Sequence, residues 1–178
     1  MSMTHKAYLF DYPSFCRELK PLLEASLADG STGRLHAFLE RNRSALTSPV
    51  TGEALREDWT DEVDPDDPAS CGAVALTRYY DLTQDVGTGE KWHHLEQALE
   101  AVGGDPGVAL GRAIGPEEVP FDPGRMGSYF QSADEVQRHL RLLDYWLSDE
   151  PNPDESLTLL REMFRRAQEA GKGLYVTF

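Results

Sequence analysis

The chain has 178 residues, of which 40% are hydrophobic and 10% aromatic, so it can bury the core of one domain and is not a disordered polypeptide. Asp and Glu outnumber Lys and Arg by 31 to 17, and the formal net charge of −14 argues against a nucleic-acid-binding protein, which needs a basic face. Two cysteines, Cys16 and Cys71, and no apolar run of membrane-spanning length lead us to expect a cytoplasmic protein without a signal peptide or a membrane partner.

The first predicted element is a buried strand over Lys6–Phe10, because its residues are apolar on both faces. Apolar residues then recur at helical spacing over 13–28. Within this stretch Pro21 either kinks one helix or is the first residue of a second helix. A further helix is predicted over 32–42, after the Asp29-Gly30 stop signal.

An acidic segment over 49–70 follows, and we expect it to be a surface loop. It holds eight Asp and Glu residues against Arg56 alone, which is half of the net charge of −14, and Pro65 and Pro68 close it. Trp59 either anchors this loop to the core or serves as an apolar hot spot ringed by charge. The candidate partner-binding residues are Trp59, Asp58, Asp61, Glu62, Asp64, Asp66 and Asp67.

The second half of the chain is predicted to be mainly helical. Residues 73–80 fit either a strand or a helix, and we prefer the helix. An amphipathic helix is predicted over 90–102 and a short helix from the N-cap Asp105 and Pro106 to Ile114, followed by a Gly- and Pro-rich loop over 115–127. A brief strand over 128–131 leads into a helix that starts at a capping box formed by Ser132 and Glu135. A last helix and an alternating terminal strand over 174–178 complete the pattern.

The predicted fold class is α+β: a mainly helical single domain over 1–178 with a small sheet of about three strands. These strands come from the N-terminus, the middle and the C-terminus, so they must assemble into one sheet to bury their apolar faces. We expect the helices that contain Trp92, Leu140 and Phe164 to cover this sheet.

No catalytic or metal-binding motif stands out. His93 and His94 are adjacent, so on a helix they point about 100° apart and cannot easily share one ion. Glu90 and His94 could share one, but a metal site needs three or four ligands and no further His pair follows. We therefore expect no metal and no cofactor. An alternative enzymatic site would combine the 115–127 loop with Trp92, His93, His94, Arg125 and Tyr129.

Several short strings in the second half resemble the YfbM-like bacterial domain of unknown function, over about 89–178. They are EKWHHL at 90–95, ALGRAIG at 109–115, YFxSxxEV at 129–136 and FxxAxxxGKGL at 164–174. The upstream strings SPVTG at 48–52 and ALTRYYD at 75–81 are similar to another group of uncharacterised, actinobacterial-type proteins. Both resemblances imply small cytoplasmic α+β proteins without an assigned catalytic residue.

Two hypotheses about function follow. The first is a non-enzymatic protein-binding module, of the kind that acts as an immunity protein or a regulator, directed toward a partner with a basic surface. The concentrated acidic segment supports it, since a negative field attracts a basic partner and speeds its association. The second is a small enzyme whose site lies near 115–130 and His93 or His94.

Overall fold

A computed structural model describes residues 3–61, 63–124 and 126–178. The predictions that concern Glu62 and Arg125 lie outside these residues. The described chain has the predicted α+β fold, with helices on both sides of a small antiparallel sheet. None of its helices is long and apolar enough to span a membrane.

The sheet contains the three predicted strands, β1 Lys6–Phe10, β2 Ser128–Gln131 and β3 Gly173–Thr177, in the order β1-β3-β2. The last strand in sequence is therefore the central one. Its residue Tyr175 lies opposite Tyr8 of β1 and opposite Phe130 of β2. Alternation along each strand then gives both faces of the sheet apolar side chains to bury.

Eight helices surround the sheet in the described part of the chain, together with single 3-10 turns at Arg43–Ala45 and Trp59–Asp61. The helices are α1 Tyr12–Glu18, α2 Lys20–Asp29, α3 Gly33–Asn42, α4 Pro68–Leu76, α5 Trp92–Ala101, α6 Gly107–Leu110, α7 Ala133–Leu147 and α8 Glu155–Glu169. The predicted capping box starts α7, since Ser132 and Glu135 exchange hydrogen bonds at its first turn. Pro21 lies in the first turn of α2, so the interpretation of two separate helices is confirmed.

The sheet separates two hydrophobic clusters. On one face, Phe10, Phe130 and Tyr175 pack with α1, α2, α3 and α4. On the other face, Leu174 and Val176 pack with α5, α7 and α8, which contain Trp92, Leu140 and Phe164 as predicted. The sequence pattern predicted the helices that cover this second face, but not those that cover the first. The amino-terminal helices form the other layer, which positions the acidic segment.

Two predicted bounds are wrong. The helix expected to reach Ile114 ends at Leu110, because Gly111 adopts a φ of +100° and Arg112 exchanges two backbone hydrogen bonds with Phe130 at the edge of β2. The acidic loop ends at Asp67 and not at residue 70. Asp67 caps α4, whose first residue is Pro68, a pairing typical of helix starts.

Candidate partner-binding groove

Trp59 anchors the acidic segment to the core. Its side chain is only 2% exposed, and its indole Nε1 donates a hydrogen bond to Glu40 Oε1 at 2.9 Å. His36, one turn earlier on α3, meets the indole edge-on at 5.3 Å between ring centroids, and its Nε2 lies 2.7 Å from the carbonyl oxygen of Pro65. One face of α3 therefore holds the segment at two points. Trp59 is consequently not available to a partner in this conformation.

The carboxylates around this anchor point outward. The side chains of Asp58, Asp61, Asp64 and Asp66 are exposed. Asp67 differs from them, because its two oxygens accept hydrogen bonds from the backbone N–H groups of Ala69 and Ser70 and from the Ser70 hydroxyl. The acidic segment thus combines the buried aromatic side chain of Trp59 with a charged outer surface.

The Gly- and Pro-rich loop is held against α4 through Phe121. Its ring is fully buried, and its N–H donates to the carbonyl oxygen of Ile114 at 2.8 Å. A Cβ placed on Gly72 of α4 would lie 2.8 Å from the Phe121 ring and 2.7 Å from Leu23. A larger residue at this position would require the side chains of Leu23 and Phe121 to shift. Next to Phe121, Asp122 Oδ1 accepts hydrogen bonds from the N–H groups of residues 126 and 127, which fixes this turn.

A groove of about 550 Å³ forms where the acidic segment and the Gly- and Pro-rich loop meet. We call it the acidic groove, and its charged lining consists of Asp64, Asp67 and Asp122. Its apolar lining consists of Leu27, Pro68, Val119, Pro120 and Pro123. Among the described lining residues none is basic. A site that combines apolar side chains with carboxylates suits a cationic side chain with a hydrocarbon stem.

The pKa of the Cys71 thiol is affected by burial and by the negative charge at this end of α4. Burial raises the pKa of the Cys71 thiol to about 11, and nearby carboxylates add to the shift. Those carboxylates belong to Asp67, Asp64 and Asp66. The thiol packs below the segment, with Sγ 3.5 Å from the carbonyl oxygen of Pro65. A raised pKa keeps this thiol protonated at neutral pH, which does not suit a nucleophile.

The described residues of the alternative enzymatic site differ in their exposure and in the side chains that they contact. Trp92 is 3% exposed and stacks on the buried His5 ring at 5.3 Å. His93 and His94 are exposed on α5, and Tyr129 packs at the margin of the second hydrophobic cluster. Within residues 3–61, 63–124 and 126–178, no hydrogen bond joins either of these histidines to Tyr129, and no group of three His, Cys, Asp or Glu side chains is placed to hold a metal ion.

Comparison of the chain with protein-family models, with curated proteins and with solved structures gives no significant match. The resemblance to the YfbM-like domain therefore stays a prediction.

Sequence reasoning missed the half of the groove that the Gly- and Pro-rich loop provides. The sequence pattern does not point to Asp122 or Val119. Phe121, which lies between them, is the one aromatic residue of the 115–127 loop. An aromatic residue within a run of Gly and Pro indicates an anchored loop, and that signal could have placed the loop against the core.

Proposed function

We propose that the protein is a binding module that captures a basic segment of a partner protein in the acidic groove. The observation that carries this proposal is a groove between two anchored loops that is lined by three carboxylates and by apolar side chains. Carboxylates at a rim select a cationic partner and speed its association, whereas a buried apolar contact supplies most of the affinity.

The groove favours Lys or Arg side chains on an extended peptide segment over a folded basic surface. Val119 is 55% exposed at its edge, and Leu27 forms part of its floor. An apolar partner residue next to a cationic one would cover Val119 while its neighbour meets Asp64 or Asp122. We therefore expect the recognised segment to alternate basic and apolar residues.

The test uses a short amidated peptide that alternates Arg and Leu, with a Gln-for-Arg version of the same length as the neutral reference. The groove variant is the double substitution Asp64→Asn and Asp122→Asn. Asn keeps the oxygen that accepts the local backbone hydrogen bonds of each aspartate, so the loops stay in place. The matched control is Asp144→Asn with Asp149→Asn, which removes the same charge from exposed positions in and after α7.

We expect the wild-type protein to bind the Arg peptide saturably and more weakly as salt rises, because the rim contacts are exposed. The groove variant should bind about fivefold to tenfold more weakly, since each exposed ion pair contributes up to about 1 kcal/mol. The control variant should bind like the wild type. Val119→Ser should weaken binding equally at low and high salt. If the groove variant and the control bind equally, the proposal is wrong.

The same variants identify the natural partner. Affinity capture from the source organism is performed with the wild type, the groove variant and the control as three separate baits. A protein retained by the wild type and by the control, but lost with the groove variant, is the expected partner, and we expect it to carry a basic segment. A partner retained equally by all three baits would place the binding surface outside the groove.

A further inference from the structure

A second cavity, of about 250 Å³, lies on the sheet face that packs against the amino-terminal helices. Cross-strand pairs place Lys6 beside Thr177 and Tyr8 beside Tyr175, so these four side chains share that face. Tyr80, beyond the end of α4, completes the wall, with its ring centroid 4.9 Å from that of Tyr8 and 5.2 Å from that of Tyr175. We call this the tyrosine cavity.

Two of the three phenols in this cavity have no hydrogen-bond partner among the described residues. Tyr175 Oη lies 3.3 Å from Ser128 Oγ, a hydrogen-bond distance. Tyr8 is only 4% exposed, and within the described chain neither its hydroxyl nor that of Tyr80 is hydrogen-bonded. Neither oxygen is among the enclosed unpaired polar atoms of that part of the chain, and both residues line the cavity. A buried phenol normally finds a partner, and a bound ligand would supply one.

These phenols are hydrogen-bond donors at neutral pH. Burial raises the pKa of Tyr8 to about 12, and burial also raises the pKa values of Tyr80 and Tyr175. The protonated hydroxyls can therefore donate to an acceptor atom placed between Tyr8 and Tyr80.

The cavity contains a positively charged group, although the molecule as a whole is acidic. The protein carries a net charge of −14, yet Lys6 is the one charged side chain among the described residues that line the cavity. Lys6 makes no ion pair within the described chain. Besides burial, two nearby carboxylates raise the pKa values of these phenols, Asp85 that of Tyr8 and Asp122 that of Tyr175. Both carboxylates already accept hydrogen bonds from backbone N–H groups, Asp85 from Ala7 and Gly87 and Asp122 from residues 126 and 127. The cavity therefore offers a cation and two phenol donors, and this set suits an anionic acceptor group.

We propose that the tyrosine cavity binds a monocyclic aromatic carboxylate. A cavity of about 150 Å³ holds one benzene ring, so the larger space here has room for the ring and a carboxylate. The aromatic ring would pack on the tyrosine rings, where offset or edge contacts are favourable. Its carboxylate would accept hydrogen bonds from Tyr8 and Tyr80 and lie near the ammonium group of Lys6.

The test compares benzoate, benzamide and benzylamine, which share the ring and differ in charge. Binding is measured by titration calorimetry and by NMR of protein with ¹³C-labelled tyrosine rings. We expect saturable binding of benzoate that shifts the ring signals of Tyr8, Tyr80 and Tyr175. Benzamide should bind about fivefold more weakly, the most that one exposed ion pair contributes, and benzylamine more weakly still.

Two variants separate the contributions to affinity. Tyr80→Phe keeps the ring and should weaken benzoate binding about threefold to tenfold, as expected for one lost hydrogen bond. Lys6→Gln should remove the preference for benzoate over benzamide. The controls are Tyr145→Phe, at a tyrosine 76% exposed on α7, and Lys20→Gln on α2.

Three results would overturn the proposal. Equal or tighter binding of benzylamine would show that the cavity selects cations. An unchanged preference in Lys6→Gln would exclude the assigned role of the ammonium group. A failure of all three compounds to saturate the tyrosine signals would show that the cavity is not a ligand site of this size.

Discussion

The burial of Trp59 predicts that Trp59→Ala strongly destabilises the fold. A buried tryptophan removes roughly 150 to 250 Å² from water, which at about 25 cal/mol per Å² corresponds to about 4 to 6 kcal/mol. The alanine methyl group retains part of this contribution, and Trp→Ala changes in cores cost about 3 to 5 kcal/mol. Because Trp59 is only 2% exposed, we expect a loss of about 4 kcal/mol, or about 8 to 16 °C in Tm for a chain of this size.

The assay is urea unfolding followed by far-UV circular dichroism, because the change itself removes a fluorophore. The matched control is Val50→Ala in the same segment, where Val50 is 86% exposed. Asp58→Asn and Asp61→Asn provide charge controls. All three controls should stay within about 0.5 kcal/mol of the wild type, as surface substitutions usually do. A loss below about 1 kcal/mol in Trp59→Ala would refute the anchor, and would mean that the acidic segment is attached to the core in another way.

Three further predictions concern the rest of the fold. Deleting residues 173–178 removes the central strand, so we expect no cooperative unfolding transition by circular dichroism, and a folded truncated chain would contradict the strand order. Gly72→Ala should lower the free energy of unfolding by about 1 to 3 kcal/mol through overpacking against Leu23 and Phe121; an equal or higher midpoint in urea would show that both side chains can move aside. Burial lowers the pKa of His5 from 6.5 to about 4, so the unfolded state binds a proton that the folded state does not, and stability should fall as the pH drops from about 6.5 toward 4. NMR titration of the His5 imidazole checks this prediction, and a ring already protonated at pH 5 would contradict it.

Local signals predicted the three strands and the start of α7 well. The apolar run of Lys6–Phe10 and the capping box at Ser132 act within a few residues, and both appear where the sequence places them. The central position of β3 could not be predicted in the same way. Alternation says which faces of a strand are apolar, but it does not say which strands lie on either side of it.

The candidate site was predicted in part, for the same reason. The acidic segment and the Gly- and Pro-rich loop were both recognised by composition, which is a local property. The two segments come together because Phe121 packs against Gly72 and because Trp59 donates a hydrogen bond to Glu40 of α3. Neither contact leaves a periodic signal, because each joins residues that are distant in the chain.

The strand order also affects when the sheet can form during synthesis of the chain. β1 precedes β2 in the described chain, but the only strand of the sheet with which each of them pairs is β3, the last element of that part of the chain. Pairing between strands that are far apart in the sequence makes folding slow. Until β3 leaves the ribosome, the apolar residues of β1 have no sheet to join, and unpaired strand edges of this kind are prone to aggregation. We therefore expect the nascent chain to depend on chaperones until β3 is complete.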